Sequence, residues 1–263
     1  VNRNLAEACA RAGVGLGVGS QRPSIENGDD GTYSVVKEYD VPLVIGNMGA
    51  PQLVAQKRKR AFTVDDVARA QEVLGADIMA IHLNFLQEVV QPEGDLNAKG
   101  CLDGIREVAR HGPCMVKETG AGISREMAMI LKGTGIRGMD VSGVGGTSFA
   151  AVEMFRARQQ EDRVAAALGA TFFDWGIPAP AAVVEADVGL ELIASGGVDD
   201  GLRMAKGISL GASAAGCARA VLAEALDSSE AVLNKLNIMK AEFRAAMFLT
   251  GCESVAQLRQ RRV

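Results

Sequence analysis

Residues 78–95 read IMAIHLNFLQEVVQPEGD, and the change of character along this stretch decides the fold. Ile78 to Ile81 is an apolar run of strand type, and it delivers His82, Asn84, Gln87, Glu88, Gln91, Glu93 and Asp95 within one loop. Loops carry chemistry while strands fix its position, so a strand end releasing many polar groups is how a barrel-type enzyme presents its site. The carboxylates offer hard oxygen ligands suited to Mg²⁺, and His82 and Asn84 offer groups for an anionic substrate. The bland alternative is a polar surface loop with an N-capped helix behind it. His82 favours the functional reading, because the chain has only two histidines and this one ends an apolar strand.

Outward from this stretch the same pattern repeats. Val14–Gly19, Val41–Gly49, Cys114–Gly120, Gly138–Gly143, Leu190–Gly197 and Ala212–Ala218 read as further strands, making seven with Ile78–Asn84. They lack clean polar/apolar alternation, as expected of a parallel sheet buried on both faces. Amphipathic segments lie between them. In 63–75, Thr63 is the predicted N-cap with Asp66 three residues on, Val67, Ala70 and Leu74 face inward, and Gly75 stops the helix. Leu102, Ile105, Val108 and Ala109 mark a second helix face. Behind a Ser124 cap, Met127, Ile130 and Leu131 mark a third, and Leu202, Ala205 and Ile208 a fourth. The alternation is the βαβ pattern of a parallel sheet, and 263 residues suit one (β/α)₈ TIM barrel domain over 1–263.

Two stretches break the rhythm. The chain opens directly in a helix, Asn2 to Ala12, stopped by Gly13, with no strand before it. It is therefore expected to be part of a longer polypeptide that supplies the first barrel strand. The segment 153–176 is longer than a normal strand–helix unit: its first half reads as a helix, 170–180 as an irregular loop, and Pro178 and Pro180 introduce the next helix.

Composition narrows the class. The 31 glycines suit tight strand–loop–helix junctions and backbone approach to a phosphate. A formal net charge of −4 argues against a nucleic-acid partner, and the one basic block, KRKR at 57–60, reads as a solvated loop. The five cysteines form no C-x-x-C pair, which favours reduced thiols over disulfides or a zinc site. No apolar run approaches the roughly 18 residues of a membrane span, so a soluble, cytoplasmic protein is expected.

ASGGV (194–198) followed by GASAAGCAR (211–219) is the arrangement of a barrel phosphate site, with backbone N–H groups of Gly196 and Gly197 aimed at the anion. GSQR (19–22) ends a strand in Ser20, Gln21 and Arg22, and Arg is the natural bidentate partner of a diphosphate. Together with HLNFLQEVVQPEGD (82–95), GNMGAPQL (46–53), VKETGAGISRE (116–126), DVSGVGGTSF (140–149) and WGIP (175–178), these motifs closely resemble type 2 isopentenyl-diphosphate isomerase. That is the FMN-dependent family, and the motifs stand in its order over nearly the whole chain.

The resemblance implies a site. FMN would be held by Ser20, Asn47, Lys117, Ser142, Thr147, Gly196, Gly197, Val198, Asp199, Ala218 and Arg219, with Lys117 on the N1–C2=O edge where negative charge gathers on reduction. Ser142 reads equally well as a buried strand serine bonded to backbone. Asp199 departs from the family, where Arg often stands, and an acid there cannot pair with a phosphate. Ser20, Gln21, Arg22, His82, Asn84 and Gln87 would hold the substrate and Glu88 the Mg²⁺. Gln87, His82 and Trp175 fall at the catalytic positions, Trp175 walling the apolar end of the substrate. The expected reaction interconverts isopentenyl and dimethylallyl diphosphate on reduced FMN, primed by NADPH, in a homo-oligomer, a tetramer or octamer. Two other readings compete. An FMN-dependent 2-hydroxy-acid oxidase needs a histidine base on a late strand, where neither His82 nor His111 falls. A non-catalytic phosphate-binding barrel would bind no flavin.

Overall fold

The computed structural model describes residues 1–57 and 59–261. Seven strands form one sheet in chain order: β1 (Leu16–Gly17), β2 (Val44–Gly49), β3 (Ile78–Leu83), β4 (Cys114–Glu118), β5 (Gly138–Asp140), β6 (Glu191–Ala194) and β7 (Ala214–Ala215). Every neighbouring pair is parallel, and β1 and β7 are the two edges. Helices cover the strands, as right-handed parallel connections require. Each strand is present where the apolar runs place it, but most end short of their glycines. Those residues have turned into the loops at the strands' C-terminal ends.

Burial on both faces explains the unalternating runs. Met79, Ile81, Val116, Met139 and Leu192 are fully buried in the sheet, and Leu74, Ile105 and Leu131 pack on it from the helices. The Val64–Leu74 helix begins as its sequence demands. Asp66 donates its N–H to the Thr63 hydroxyl at 3.2 Å, and the Asp66 carboxylate accepts the Thr63 N–H at 2.7 Å. Gly75 ends it at φ 72. Arg60 pairs with Asp66 at 2.5 Å and holds that carboxyl well below the usual carboxylate range. Elsewhere the predicted faces rotate. On Arg125–Lys132 it is Ala128 and Leu131 that are buried, whereas Met127 and Ile130 are 40% and 49% exposed. Leu102 and Leu202 likewise look outward, at 38% and 51% exposure.

The 153–176 segment is more ordered than its charged middle suggests. Phe149–Gln159 and Arg163–Thr171 form a helical hairpin, turned at Glu161 (φ 59) and recapped by Asp162, which accepts the N–H groups of Val164 and Ala165 at 3.0 Å. Gly169 sits where a Cβ would strike Met154 and the Ala150 carbonyl, so this glycine brings two helices together instead of breaking one. Only 172–178 is irregular before the Ala179–Glu185 helix. The basic block is not simply solvated: Lys59 pairs with buried Asp95 at 3.1 Å, while Arg58 lies outside the described residues. All five cysteines are free, and no described helix is long and apolar enough to cross a membrane.

Candidate active site at the strand ends

The register aligns the end of the sheet into one row: Gly49 beside His82, His82 beside Lys117, and Lys117 beside Asp140. Partners in a parallel sheet point to the same face, so His82, Lys117 and Asp140 stand side by side. His82 Nδ1 lies 2.7 Å from Asn47 Oδ1, and Asn47 Nδ2 donates to the Val18 carbonyl at 2.9 Å. With the amide oriented by that carbonyl, Nδ1 carries the imidazole proton and Nε2 keeps its lone pair. Burial, reinforced by the charge of Lys117, pushes the His82 pKa down to about 3. The ring is neutral.

Behind it, Gln21 is 0% exposed and spent on backbone. Its Nε2 donates to the Ala70 carbonyl at 2.7 Å and its Oε1 accepts the Asn47 N–H at 3.1 Å. Gln21 therefore fixes Asn47 from inside the fold; the expectation that it touches substrate is corrected, because both ends of its amide are engaged out of reach. Asn47 is also committed at both ends of its amide, so its support of a flavin would run through His82 and the loop it braces. Ser20 Oγ accepts the Arg22 N–H at 3.4 Å, within the turn that starts the Arg22–Asn27 helix.

The polar stretch after β3 is not a loop throughout: Phe85–Val90 is a short helix. Glu88, 3% exposed, accepts from Asn84 Nδ2 at 2.8 Å, Gln91 Nε2 at 2.7 Å and the Asp95 N–H at 2.7 Å. Asp95 is flanked by two cations, Arg22 and Lys59, each at 3.1 Å, and Arg22 also reaches Glu26 at 2.9 Å. Asn84 Oδ1 is buried with no partner. A carboxylate with one lone pair left, beside an orphaned amide oxygen, fits a hard cation. Among the described residues no group of three His, Cys, Asp or Glu could hold a metal ion. Mg²⁺ would thus take its other ligands from substrate oxygens and water, as it commonly does.

Sequence reading missed Glu153. It is 3% exposed, accepts from Gln87 Nε2 at 2.9 Å and pairs with Arg156 at 2.6 Å, while Arg156 also meets Glu93 at 3.0 Å. The available signal was a charged residue on the apolar face formed by Ala150, Met154 and Ala157. Trp175, by contrast, is 61% exposed and packs edge-on against Phe172. It stands on the loop whose Ile177 N–H bonds the Ala121 carbonyl at 2.8 Å, at the mouth but turned to water.

On the other side the site is built of backbone. Lys117 Nζ donates to the Glu118 carbonyl at 3.2 Å, and the Glu118 carboxylate accepts the N–H groups of Thr119, Gly120 and Ala121 at 2.5–2.6 Å. Ser142 has a positive φ of 33, and its carbonyl accepts the Gly122 N–H at 3.1 Å. Gly196 and Gly197, at φ 93 and 80, are required for a reason other than phosphate approach: side chains there would enter the backbone of Gly143 and Gly145. The two glycine loops interlock, leaving Gly145, Gly146 and Thr147 exposed. Asp199 is neutralised by Arg203 at 2.5 Å, and Arg203 caps the Gly197 carbonyl at 2.9 Å, which answers how an acid is tolerated beside Val198. Ala218 and Arg219 are exposed at the end of β7. A cation on β4 and exposed glycine-rich backbone on the following loops are residues that fit a flavin and its phosphate.

An α/β barrel with this row of residues at its strand ends belongs to the FMN-dependent dehydrogenase class, whose family pattern matches residues 63–263. Within that class the chain belongs to the isopentenyl-diphosphate delta-isomerase family. It is 45% identical over 260 residues to the isopentenyl-diphosphate delta-isomerase of Thermoplasma acidophilum, covering 98% of this chain and 74% of that one. It is 47% identical over 262 residues to that of Methanosarcina mazei, covering 98% and 70%. Among solved structures, a mandelate oxidase variant superposes with a TM-score of 0.65 at 20% identity, covering 98% of this chain and 73% of that one, and shares the fold.

Proposed function

We propose that the chain interconverts isopentenyl and dimethylallyl diphosphate at the ends of β2 to β5. The observation carrying this reading is the array of buried Asn84, Glu88 and Glu153 with half-buried Gln87, which sets one carboxylate for a cation and another behind an amide. Bound in its reduced form, FMN supplies an electron-rich ring and a proton carrier at N5. Lys117 holds its pyrimidine edge, and Thr147, Ser142 and the backbone of Gly196, Gly197 and Val198 hold its polar tail, with Ala218 and Arg219 at the phosphate. NADPH is the proposed source of electrons.

The remaining work falls to side chains. Glu88 holds Mg²⁺ on the diphosphate. Two cations share Asp95, so Arg22 can turn to the substrate while Lys59 keeps that carboxylate neutralised. Asn84 and His82 complete the clamp, and the incoming negative charge lets His82 take a proton at Nε2 and become a donor. Gln87 has its amide nitrogen on Glu153, which leaves its oxygen to orient the alkene; an amide is too weak an acid for the main proton transfer. Water must be kept from a developing tertiary cation, and burial of this array serves that end. A homo-oligomer, tetramer or octamer, would steady the mouth.

The 2-hydroxy-acid oxidase reading loses ground because the two histidines lie on β3 and at the end of the Cys101–His111 helix. The test incubates the protein anaerobically with FMN, Mg²⁺, NADPH and isopentenyl diphosphate. Dimethylallyl diphosphate is expected; none formed on fully reduced flavin overturns the proposal, and oxidation of lactate or glycolate would replace it.

A further inference from the structure

Asp140 is a half-buried acid for which the reaction above has no use. It ends β5 directly beside Lys117 of β4. Its Oδ1 accepts the Ser195 hydroxyl from the end of β6, and the Ser142 N–H turns back toward the same carboxylate. Ser142 itself has a positive φ of 33, a conformation uncommon for a non-glycine residue. The strand register and the Ser195 hydroxyl thus set one carboxylate on the strand next to the single lysine of the row, within reach of its charge. Burial pushes the Asp140 carboxyl up, while Lys117, Ser195 and Ser142 all favour its ionised form.

We propose that Asp140 acts on the flavin through Lys117: held by Ser195 on the neighbouring strand, it balances the charge of that lysine, so that the reduced anionic ring is not bound too tightly. Lys117 alone would favour the anionic reduced form, and a carboxylate across the strand pair opposes that preference. An isomerase makes no net use of electrons, so it needs a flavin that stays reduced yet still exchanges a proton. Tempering Lys117 serves the second need. Glu118 cannot do the same work, because its carboxylate is turned into the three N–H groups of its own loop. His82, on the other flank of Lys117, is neutral.

This inference rests on the flavin reading and is tested apart from turnover. Dissociation constants of oxidised and reduced FMN are measured for the wild type, Asp140→Asn and Asp140→Ala. Both variants lose the charge but differ in shape. Each is expected to bind reduced FMN relatively more tightly, by about tenfold in the ratio of the two constants, a rise of about 30 mV in the two-electron potential. Oxidised FMN should bind as in the wild type. An unchanged ratio in a folded, FMN-loaded variant overturns the proposal, as does a ratio that moves in opposite directions in the two. Loss of oxidised FMN from both also overturns it, since Asp140 is given no part in holding that form. A wild type that binds no FMN overturns the flavin reading itself.

Discussion

The two halves of the strand-end surface are built from different materials. From β1 to β5 the surface is made of side chains that are buried and mutually bonded: Gln21, Asn47, His82, Asn84, Glu88 and Glu153 are each 9% exposed or less. Beyond β5 it is made of glycine backbone, with loops that interlock and leave Gly145 and Gly146 exposed. Side chains fixed by one another can hold charge in a set geometry, as proton and cation chemistry requires. Backbone N–H groups bind a phosphate with little further demand. The first half is therefore expected to control turnover and the second to control cofactor retention.

The sharpest break of that comparison is Glu153→Gln. It removes the charge behind Gln87 and leaves Arg156 with only Glu93, and turnover should fall about 100-fold or more with FMN still bound. Glu88→Gln should cost about 10- to 100-fold and raise the Mg²⁺ requirement, again without flavin loss. Steady-state rates on flavin-loaded protein check both. If either variant instead sheds FMN and is normal once reloaded, the division between the halves fails.

Gly197→Ala probes the other half. The methyl would meet the Gly145 carbonyl at a φ of 80, so the loops must part. A cost of about 1–3 kcal/mol in stability is expected, with weaker FMN binding and near-normal turnover at saturating flavin. Thermal melts and flavin titration give the answer, and a kcat loss matching that of Glu153→Gln would erase the contrast.

How much of this was legible follows from where each residue finds its partners. Thr63, Asp66 and Gly75 are local, three to twelve residues apart in the chain, and the sequence states the helix they bound. The strands were legible as apolar runs, though not their ends, since a glycine after a strand says nothing about whether the ladder continues. Glu153 was opaque because Gln87 lies 66 residues away. Gln21 misled for the same reason: in GSQR it looks like a ligand donor, and only the Ala70 carbonyl, 49 residues on, makes it structural. Met127 and Ile130 misled because apolar residues outnumber the inward positions of their short helix. The polar stretch after β3 was visible as a set, but its internal wiring was not.

His82 ties the first half to pH. Its folded pKa of about 3 lies below the ordinary value of 6.5, so the unfolded chain binds more protons between these limits. Above about 6.5 the ring is neutral in both states and this costs nothing; as pH falls from 6.5 toward 3 the folded state loses stability, by up to about 1.4 kcal/mol per pH unit. Substrate diphosphate should flatten the loss by giving the protonated ring a partner. Denaturant melts from pH 7 to 4, with His82→Gln as comparison, decide it: an equally steep slope in the variant would mean that other groups carry the acid sensitivity.

The smallest expected effect sharpens the comparison most. Arg203 stands beside the proposed phosphate site, and a side-chain view of that half would make it a phosphate ligand. In the structure its guanidinium is spent on Asp199 and on the Gly197 carbonyl, with both charged partners 41–51% exposed. Exposed pairs of this kind contribute about 1 kcal/mol or less. Arg203→Ala should therefore weaken FMN binding no more than about fivefold, through loosening of the Gly197 turn, and increasing salt should change the affinity of wild type and variant alike. A loss far beyond fivefold, with a much weaker salt dependence in the variant, would mean that Arg203 leaves Asp199 for the phosphate, and that this half too works through side-chain charge.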